Sequence, residues 1–411
     1  MTLKFYPEMP RLQNVLPLAV TVCVLLFVAG MALLGSHKLA GGFYILALVL
    51  GLYLLWRLPR VPITLPPAIK LYLGFYLAFF GLVVAHVLIL SASGSNIDQV
   101  SRIGLGLLSG FIFFALCGFS REKLFDLIVI VAGAHACVAI IVAIYQGIDF
   151  TTLKILRSRS HGVTNAIPFS EMLFTSLGLV AIGLAAKLDT ARSKIGIVIL
   201  AMIVGVGIFA VFLTKTRGTL SAFVLLLPLL LVALSGRVSL RLTAVLGAVF
   251  LAGALVAARI IFAREPVMLM FLDFLKGAPA TAYIDSSVGI RLQLWTYGID
   301  LFRSAPIFGH GINSFPQLLE RPELGVAEDS ILMNFGNVHN IYIDILMKMG
   351  IVGAVFFFVP LAIAIGAGLR MAFKLDTRVM GLAILWVAGS YAIYGLTQVF
   401  YGHASTTLHY G

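Results

Sequence analysis

The sequence predicts an all-α polytopic membrane protein, a bundle of about 11–12 transmembrane helices with one large outward loop containing short helices. Three observations predict it. Of 411 residues, 61% are hydrophobic and only 11% are charged, where a soluble domain carries about 25% charged residues. The apolar residues fall in repeated runs of about 20, each ended by charge or turn residues, which is the length that crosses a bilayer. One long segment, Gly289 to Gly353, breaks the pattern and cannot sit in a membrane. The runs must be helical, because only a helix satisfies every backbone group within one segment.

In chain order, spans are expected near 15–35, 41–56, 71–91, 103–119, 125–146, 166–186, 195–213, 219–235, 242–262, 350–369 and 379–401. The first follows Lys4 and Arg11 and is longer than a signal-peptide core. It ends at Ser36-His37-Lys38 with no small-x-small cleavage site, so it reads as a retained span. No soluble extra domain, low-complexity tail or repeat stands out, and 1–411 reads as a single integral membrane domain. Eleven spans put the C-terminus outside; Gly402 to Gly411 is too short and polar to cross again, so either the tail ends there or a final span is missing from this sequence. Cys23, Cys117 and Cys137 all fall inside apolar runs, which argues against a disulfide framework or a cysteine zinc cluster.

Orientation follows from the basic residues. Fifteen of the 29 Lys and Arg lie in one set of alternate loops with five of the 17 acidic residues. The other set holds the remaining 14 basic and 12 acidic residues. Short loops rich in Lys and Arg stay in the cytoplasm. The N-terminus is therefore expected inside and the loop 263–349 outside, carrying much of the active site. The net charge of +12 is mostly this topology signal, and no nucleic-acid motif accompanies it.

Three outward groups carry polar chemistry: Thr214-Lys215-Thr216-Arg217-Gly218, the loop Lys154 to His161 with Arg157 and Arg159, and the long loop with Arg291, His310 and His339. Arg217 at the mouth of a span reads either as an arginine snorkelling to headgroups or as a clamp on an anionic substrate. Its planar fork of donors suits phosphate oxygens and stays charged at any working pH. Arg291 and Trp295 are four apart, hence on one helical face. They read either as a surface stack or as part of a site. His339 precedes Asn340 and the apolar pattern Ile341, Ile343, Leu346, which places it at the start of a helix on the outer face. It suits general-base work on a hydroxyl, or else is bonded to bundle backbone. His86 and His135 lie within spans and read as bonded inside the bundle. Gly309-His310-Gly311 lacks the third glycine of a dinucleotide fingerprint and reads as a tight turn. No metal-ligand spacing is present; Glu328-Asp329 is a single acidic pair.

Taken in order, these residues resemble the bacterial O-antigen ligases, within a larger superfamily of ligases and polymerases for polysaccharide assembly. Thr216-Arg-Gly218 opening a span, Gly289-Ile-Arg291 with Trp295, Pro306-Ile-Phe-Gly-His-Gly311, and His339-Asn-Ile-Tyr followed by Gly350-Ile-Val-Gly353 carry the resemblance. It implies a membrane glycosyltransferase related to the GT-C class. Such enzymes take a glycan from undecaprenyl diphosphate and transfer it to a sugar hydroxyl of lipid A–core at the periplasmic face of the inner membrane, for lipopolysaccharide biosynthesis. The resemblance implies inversion at the anomeric carbon, no metal and no cofactor. It assigns Arg217 and Arg291 to the diphosphate and His339 to the acceptor hydroxyl. Lys215, Arg157, Arg159, His161, Trp295 and Asn340 become candidate substrate-binding residues, with headgroup binding the alternative for the loop 154–161. The chain departs from the usual family plan in lacking a twelfth span. Rival readings are an O-antigen polymerase, a protein O-oligosaccharyltransferase and, from a different class, a transporter, for which Glu171 is the candidate intramembrane acid.

Overall fold

The computed structural model describes residues 67–90, 121–156, 158–162, 165–187, 193–234, 286–312, 314–327 and 330–399, with isolated positions before and between them. The spans expected near 15–35, 41–56 and 103–119 lie almost entirely outside these residues, as do Cys23, Cys117 and the pair Glu328-Asp329, while the span near 242–262 is described only at scattered, helical positions.

Helices α1 (Pro67–Leu90), α2 (Arg121–Gly147), α3 (Ala166–Lys187), α4 (Ser193–Leu213) and α5 (Arg217–Leu234) meet five expected spans to within a few residues. The long loop then supplies α6 (Ser287–Ser304) and α7 (Phe315–Leu319), followed by α8 (Ile341–Ala372) and α9 (Arg378–Tyr394). Among the described residues, α1, α2, α3 and α8 are long and apolar enough to cross a membrane by length and composition. The link between α2 and α3 holds a feature not expected from the sequence. It is a small antiparallel hairpin, β1 (Ile148–Asp149) against β2 (Lys154–Ile155).

Two spans differ from expectation. Helix α8 begins at Ile341, well before position 350, but its chain bends at Gly350, where φ is 64° and ψ is −168°. The expected membrane span therefore continues from the bend, and Ile341–Met349 is a separate helical limb in front of it. Helix α9 ends at Tyr394 instead of running to 401. Residues 395–397 turn back, with Leu396 N–H donating to the Ile393 carbonyl and Thr397 N–H to that of Tyr394. The turn is stable because its remaining polar groups find partners at the start of α8, described below.

Helix α3 is the centre of the bundle. Of its apolar window 83% is buried, against 17% for α1, which presents Leu71, Leu77 and Leu88 outward. Lipid is as apolar as leucine, so close helix contact in a membrane depends on small residues and buried hydrogen bonds. Both are present. Gly178 gives the Trp386 ring of α9 room, since a Cβ there would lie 1.7 Å from it. Trp386 Nε1 then donates to the Thr175 carbonyl at 3.1 Å, and its ring stacks on Phe174. His135 of α2 bonds Ser176 through Nδ1 at 2.9 Å, the role expected of a histidine inside the bundle. Ser170 bonds Thr219 of α5 at 2.7 Å. At the opposite end from the long loop, Lys187 and Asp126 pair at 2.8 Å across α3 and α2.

Candidate active site

Helix α6 starts where the sequence supplies a cap. Ser286 Oγ accepts the Gly289 N–H at 2.9 Å, leaving Gly289-Ile-Arg291 to Trp295 as the opening turns. Arg291 and Trp295 share one face and are both half-buried. The helix lies across the start of α8 because Gly298 has no side chain. A Cβ there would meet Ile343 Cγ2 at 2.7 Å and Val338 Cγ1 at 3.0 Å. Leu294, Leu301, Phe315, Leu319, Leu332 and Met347 form a second, smaller hydrophobic core beneath this segment. The loop is thus a folded layer with its own burial, which holds α6 in place.

Two of the sequence motifs turn out to be one contact. The turn Pro306 to Gly311 docks backbone to backbone on the bend of α8. Ile351 N–H donates to the Pro306 carbonyl at 2.9 Å, Val352 N–H to that of Ile307 at 3.2 Å, and Gly311 N–H to that of Lys348 at 2.8 Å. Gly309 (φ 71°) would carry a Cβ 2.4 Å from the Lys348 carbonyl carbon, and Gly350 one 2.2 Å from the Ile307 oxygen. The Gly350 angles also lie in backbone space that is essentially restricted to glycine. His310 belongs to this scaffold, its Nε2 lying 2.9 Å from the Leu301 carbonyl. Gly350→Ala is therefore expected to cost more than the ~1–3 kcal/mol of backbone strain alone. Thermal unfolding in detergent checks this; an unchanged midpoint would remove the docking argument.

His339 sits just ahead of α8 with φ 53°, a left-handed conformation that few side chains adopt. Its N–H donates to Asn337 Oδ1 at 3.0 Å, and Phe335 meets its ring edge-on at 5.3 Å. Its Nδ1 lies 2.9 Å from Gln398 Oε1. Burial is the main cause that holds His339 below the ordinary imidazole value. The Arg291 charge acts in the same direction, while Gln398 and the Asp344 carboxylate pull upward without reversing it. Arg291 lies two turns before Gly298, whose helix face packs on Val338, the residue before His339.

The surroundings of His339 are tightly specified. Asn340 caps α8, its Oδ1 accepting the N–H groups of Tyr342 at 3.0 Å and Ile343 at 3.2 Å. Asp344 and Lys348, one turn apart, form an ion pair at 3.0 Å with side chains 0% and 2% exposed. Asp344 Oδ1 also accepts the Val338 N–H at 3.3 Å, and Lys348 donates to the Gly336 carbonyl at 3.4 Å. A buried pair therefore anchors the strand that presents His339.

The turn after α9 gathers the remaining parts. The Gly395 carbonyl accepts the Ile341 N–H at 2.8 Å, and the Leu396 carbonyl accepts Asn340 Nδ2 at 3.3 Å. On its other side, a Cβ on Gly218 would lie 2.6 Å from Thr397 Oγ1, so the first turn of α5 abuts the same turn. Arg217 is the first residue of α5, and its side chain lies outside the described residues. Lys215 (φ 53°) donates through Nζ to the carbonyls of Leu156 at 2.9 Å and Ser158 at 3.2 Å. Arg159 donates to the Thr214 carbonyl at 3.0 Å and to Thr216 Oγ1 at 3.1 Å. These two cations lace the loop 154–161 onto the turn before α5. His161 is exposed beside them, its N–H held by Gln146 Oε1 at 3.0 Å, and Arg157 lies outside the described residues. Among the described residues, no three His, Cys, Asp or Glu side chains gather as a metal site.

Residues 199–358 match the family model described as O-antigen ligase. That match supports a place for the chain in the O-antigen ligase superfamily. The ligase match contains Arg217, Arg291, the turn Pro306 to Gly311 and His339, but neither Gln398 nor the loop 154–161. An uncharacterized protein of Haemophilus influenzae is 26% identical over 132 residues. That is 31% of this chain and 32% of the relative, so the alignment spans about a third of each.

The sequence alone did not single out Gln398 or the pair Asp344–Lys348. A signal for the pair was there to read: an acid and a base four residues apart within an apolar helix start. The signal for Gln398 was a lone amide inside an apolar run.

Proposed function

We propose that the protein is an O-antigen ligase, which moves a glycan from undecaprenyl diphosphate to a sugar hydroxyl of lipid A–core at the periplasmic face of the inner membrane. The observation that supports the reading is geometric: α6, which carries Arg291, packs through Gly298 on Val338 next to His339, His339 meets Gln398, and Thr397 abuts the first turn of α5, which begins at Arg217. In this reading three separate sequence segments supply the anion clamp and the base.

The chemistry follows from those groups. The acceptor hydroxyl attacks the anomeric carbon from the face opposite the diphosphate, so the sugar–phosphate bond breaks as the new glycosidic bond forms and the configuration inverts. The hydroxyl proton passes to His339, a step that contributes about 10²–10⁴-fold in rate. The developing negative charge on the diphosphate is met by Arg291 and Arg217, each worth on the order of a few kcal/mol in a partly water-excluded site. Arginines in this role supply the charge stabilisation that a divalent cation gives elsewhere. Trp295, one turn from Arg291, offers an indole face for the sugar. Lys215 and Arg159 already hold backbone and serve chiefly to build the mouth of the site. Asn340 serves as the cap that orients His339.

The test is transfer by purified protein from undecaprenyl-diphosphate glycan to lipid A–core with EDTA present. Glycan on lipid A–core supports the ligase and its independence of metal. Lengthening of the carrier-linked glycan instead makes the protein a polymerase, and product on neither acceptor removes the reading. In the same assay Arg217→Lys is expected to lose roughly 10²-fold, because a point charge does not replace a planar fork. Full activity in that variant would exclude the bidentate clamp.

A further inference from the structure

The hydrogen bond between His339 and Gln398 has a direction with chemical consequences. A Gln Oε1 only accepts, so at 2.9 Å it requires the proton on His339 Nδ1. The neutral ring then has its lone pair on Nε2. Gln398 is 1% exposed, so its amide is fixed by the protein and not by bulk water. The turn just before it is bonded to the two residues that follow His339, Leu396 to Asn340 and Gly395 to Ile341. The ring and its partner therefore move as one body.

We propose that Gln398 is a positioning residue, which holds His339 as the Nδ1-protonated tautomer and leaves Nε2 as the base directed at the acceptor hydroxyl. This rests on the reading of His339 as the general base. A neutral amide suits the place better than a carboxylate. A carboxylate would stabilise the imidazolium and move the base form to higher pH. The amide sets the tautomer without adding charge. Among the described residues, the charged groups that act on the ring are Arg291 from α6 and Asp344 from α8, the latter paired with Lys348, and Phe335 meets its edge. Arg291 bears no acceptor, so it cannot select the tautomer, whereas Gln398 Oε1 accepts and lies 2.9 Å from Nδ1.

Two variants and one spectroscopic measurement test this. Nitrogen-15 NMR of histidine-labelled protein, with the His339 signal found by difference from His339→Ala, reports which ring nitrogen is protonated without any substrate. The expected result is Nδ1–H in the parent and a mixture in Gln398→Leu. An Nε2–H parent, or a Gln398→Leu spectrum identical to the parent's, overturns the proposal whether or not transfer is found. In the transfer assay Gln398→Leu is expected to lose kcat about 10-fold or more, with KM for the lipid-linked donor little changed. Gln398→Glu keeps an acceptor and is expected to exceed Gln398→Leu in activity at high pH. The acid limb of its pH–rate profile is expected to move upward by about one pH unit or more. Equal loss in both folded variants with no movement of that limb sinks the proposal, as does a change confined to KM. Should His339→Ala itself keep full activity, the general-base reading fails separately, while the NMR result still decides the tautomer.

Discussion

On the proposed function, replacing His339 with alanine is expected to reduce glycan transfer by about 10²–10⁴-fold while membrane expression stays intact. The size reflects the loss of proton transfer in the step that makes the acceptor nucleophilic. A control separates chemistry from backbone. His339 adopts φ 53°, a conformation that asparagine tolerates better than alanine. His339→Asn should therefore restore stability without restoring rate. Recovery of rate in the asparagine variant would mean that position 339 matters for its backbone alone. The pH dependence has a definite sign. The base must be neutral, and His339 is held below its ordinary value of 6.5, by burial first and by Arg291 as well. The acid limb of kcat/KM is therefore expected below pH 6.5, with the base form already complete at neutral pH. A limb centred above that value would contradict the burial argument.

Lys348→Met is expected to cost about 3–5 kcal/mol of stability, because it strands the Asp344 carboxylate where no water reaches it. Both side chains are essentially unexposed, and Asp344 also accepts the Val338 N–H one residue before His339. Loss of the pair should thus loosen the strand that presents the base, and transfer should fall with stability. The double variant Asp344→Asn with Lys348→Met removes both charges and keeps an acceptor for Val338. It is expected to be more stable than either single change, because a well-packed neutral pair avoids the desolvation penalty. Thermal unfolding of the three variants in detergent provides the check. Single variants within about 1 kcal/mol of the parent would show that the pair contributes little. This pair also bears on the transporter alternative. Asp344 is a second buried acid beside Glu171, but it is neutralised locally and placed in the layer with His339, and serves to build the site.

Much of this architecture was legible in the sequence. Long apolar runs force helices, since backbone groups in a bilayer have no other partners. Five described helices accordingly begin and end within a few residues of their expected places. Ser286 ahead of Gly289 and Asn340 ahead of Ile341 are caps, and caps are local, so the starts of α6 and α8 were readable too. Local spacing also placed Arg291 and Trp295 on one face and His339 at a helix start. The motif glycines were visible as letters, but their reason was not: Gly309 and Gly350 are glycines because two distant backbones touch.

The limits of the sequence follow from the same physics. An apolar run predicts a span, and the run from Arg378 onward hides a turn at Gly395 that owes its stability to groups over 50 residues earlier, at Asn340 and Ile341. Hydropathy counts only transfer from water to lipid and carries no information on which buried polar groups will meet. By itself the sequence determined the helices, the caps and the inventory of Arg217, Arg291 and His339. Only the tertiary structure decided that Gln398 faces His339, that Asp344 and Lys348 brace its strand, and that Lys215 and Arg159 hold backbone. A buried polar group must find a partner, and long-range packing alone determines which one it meets.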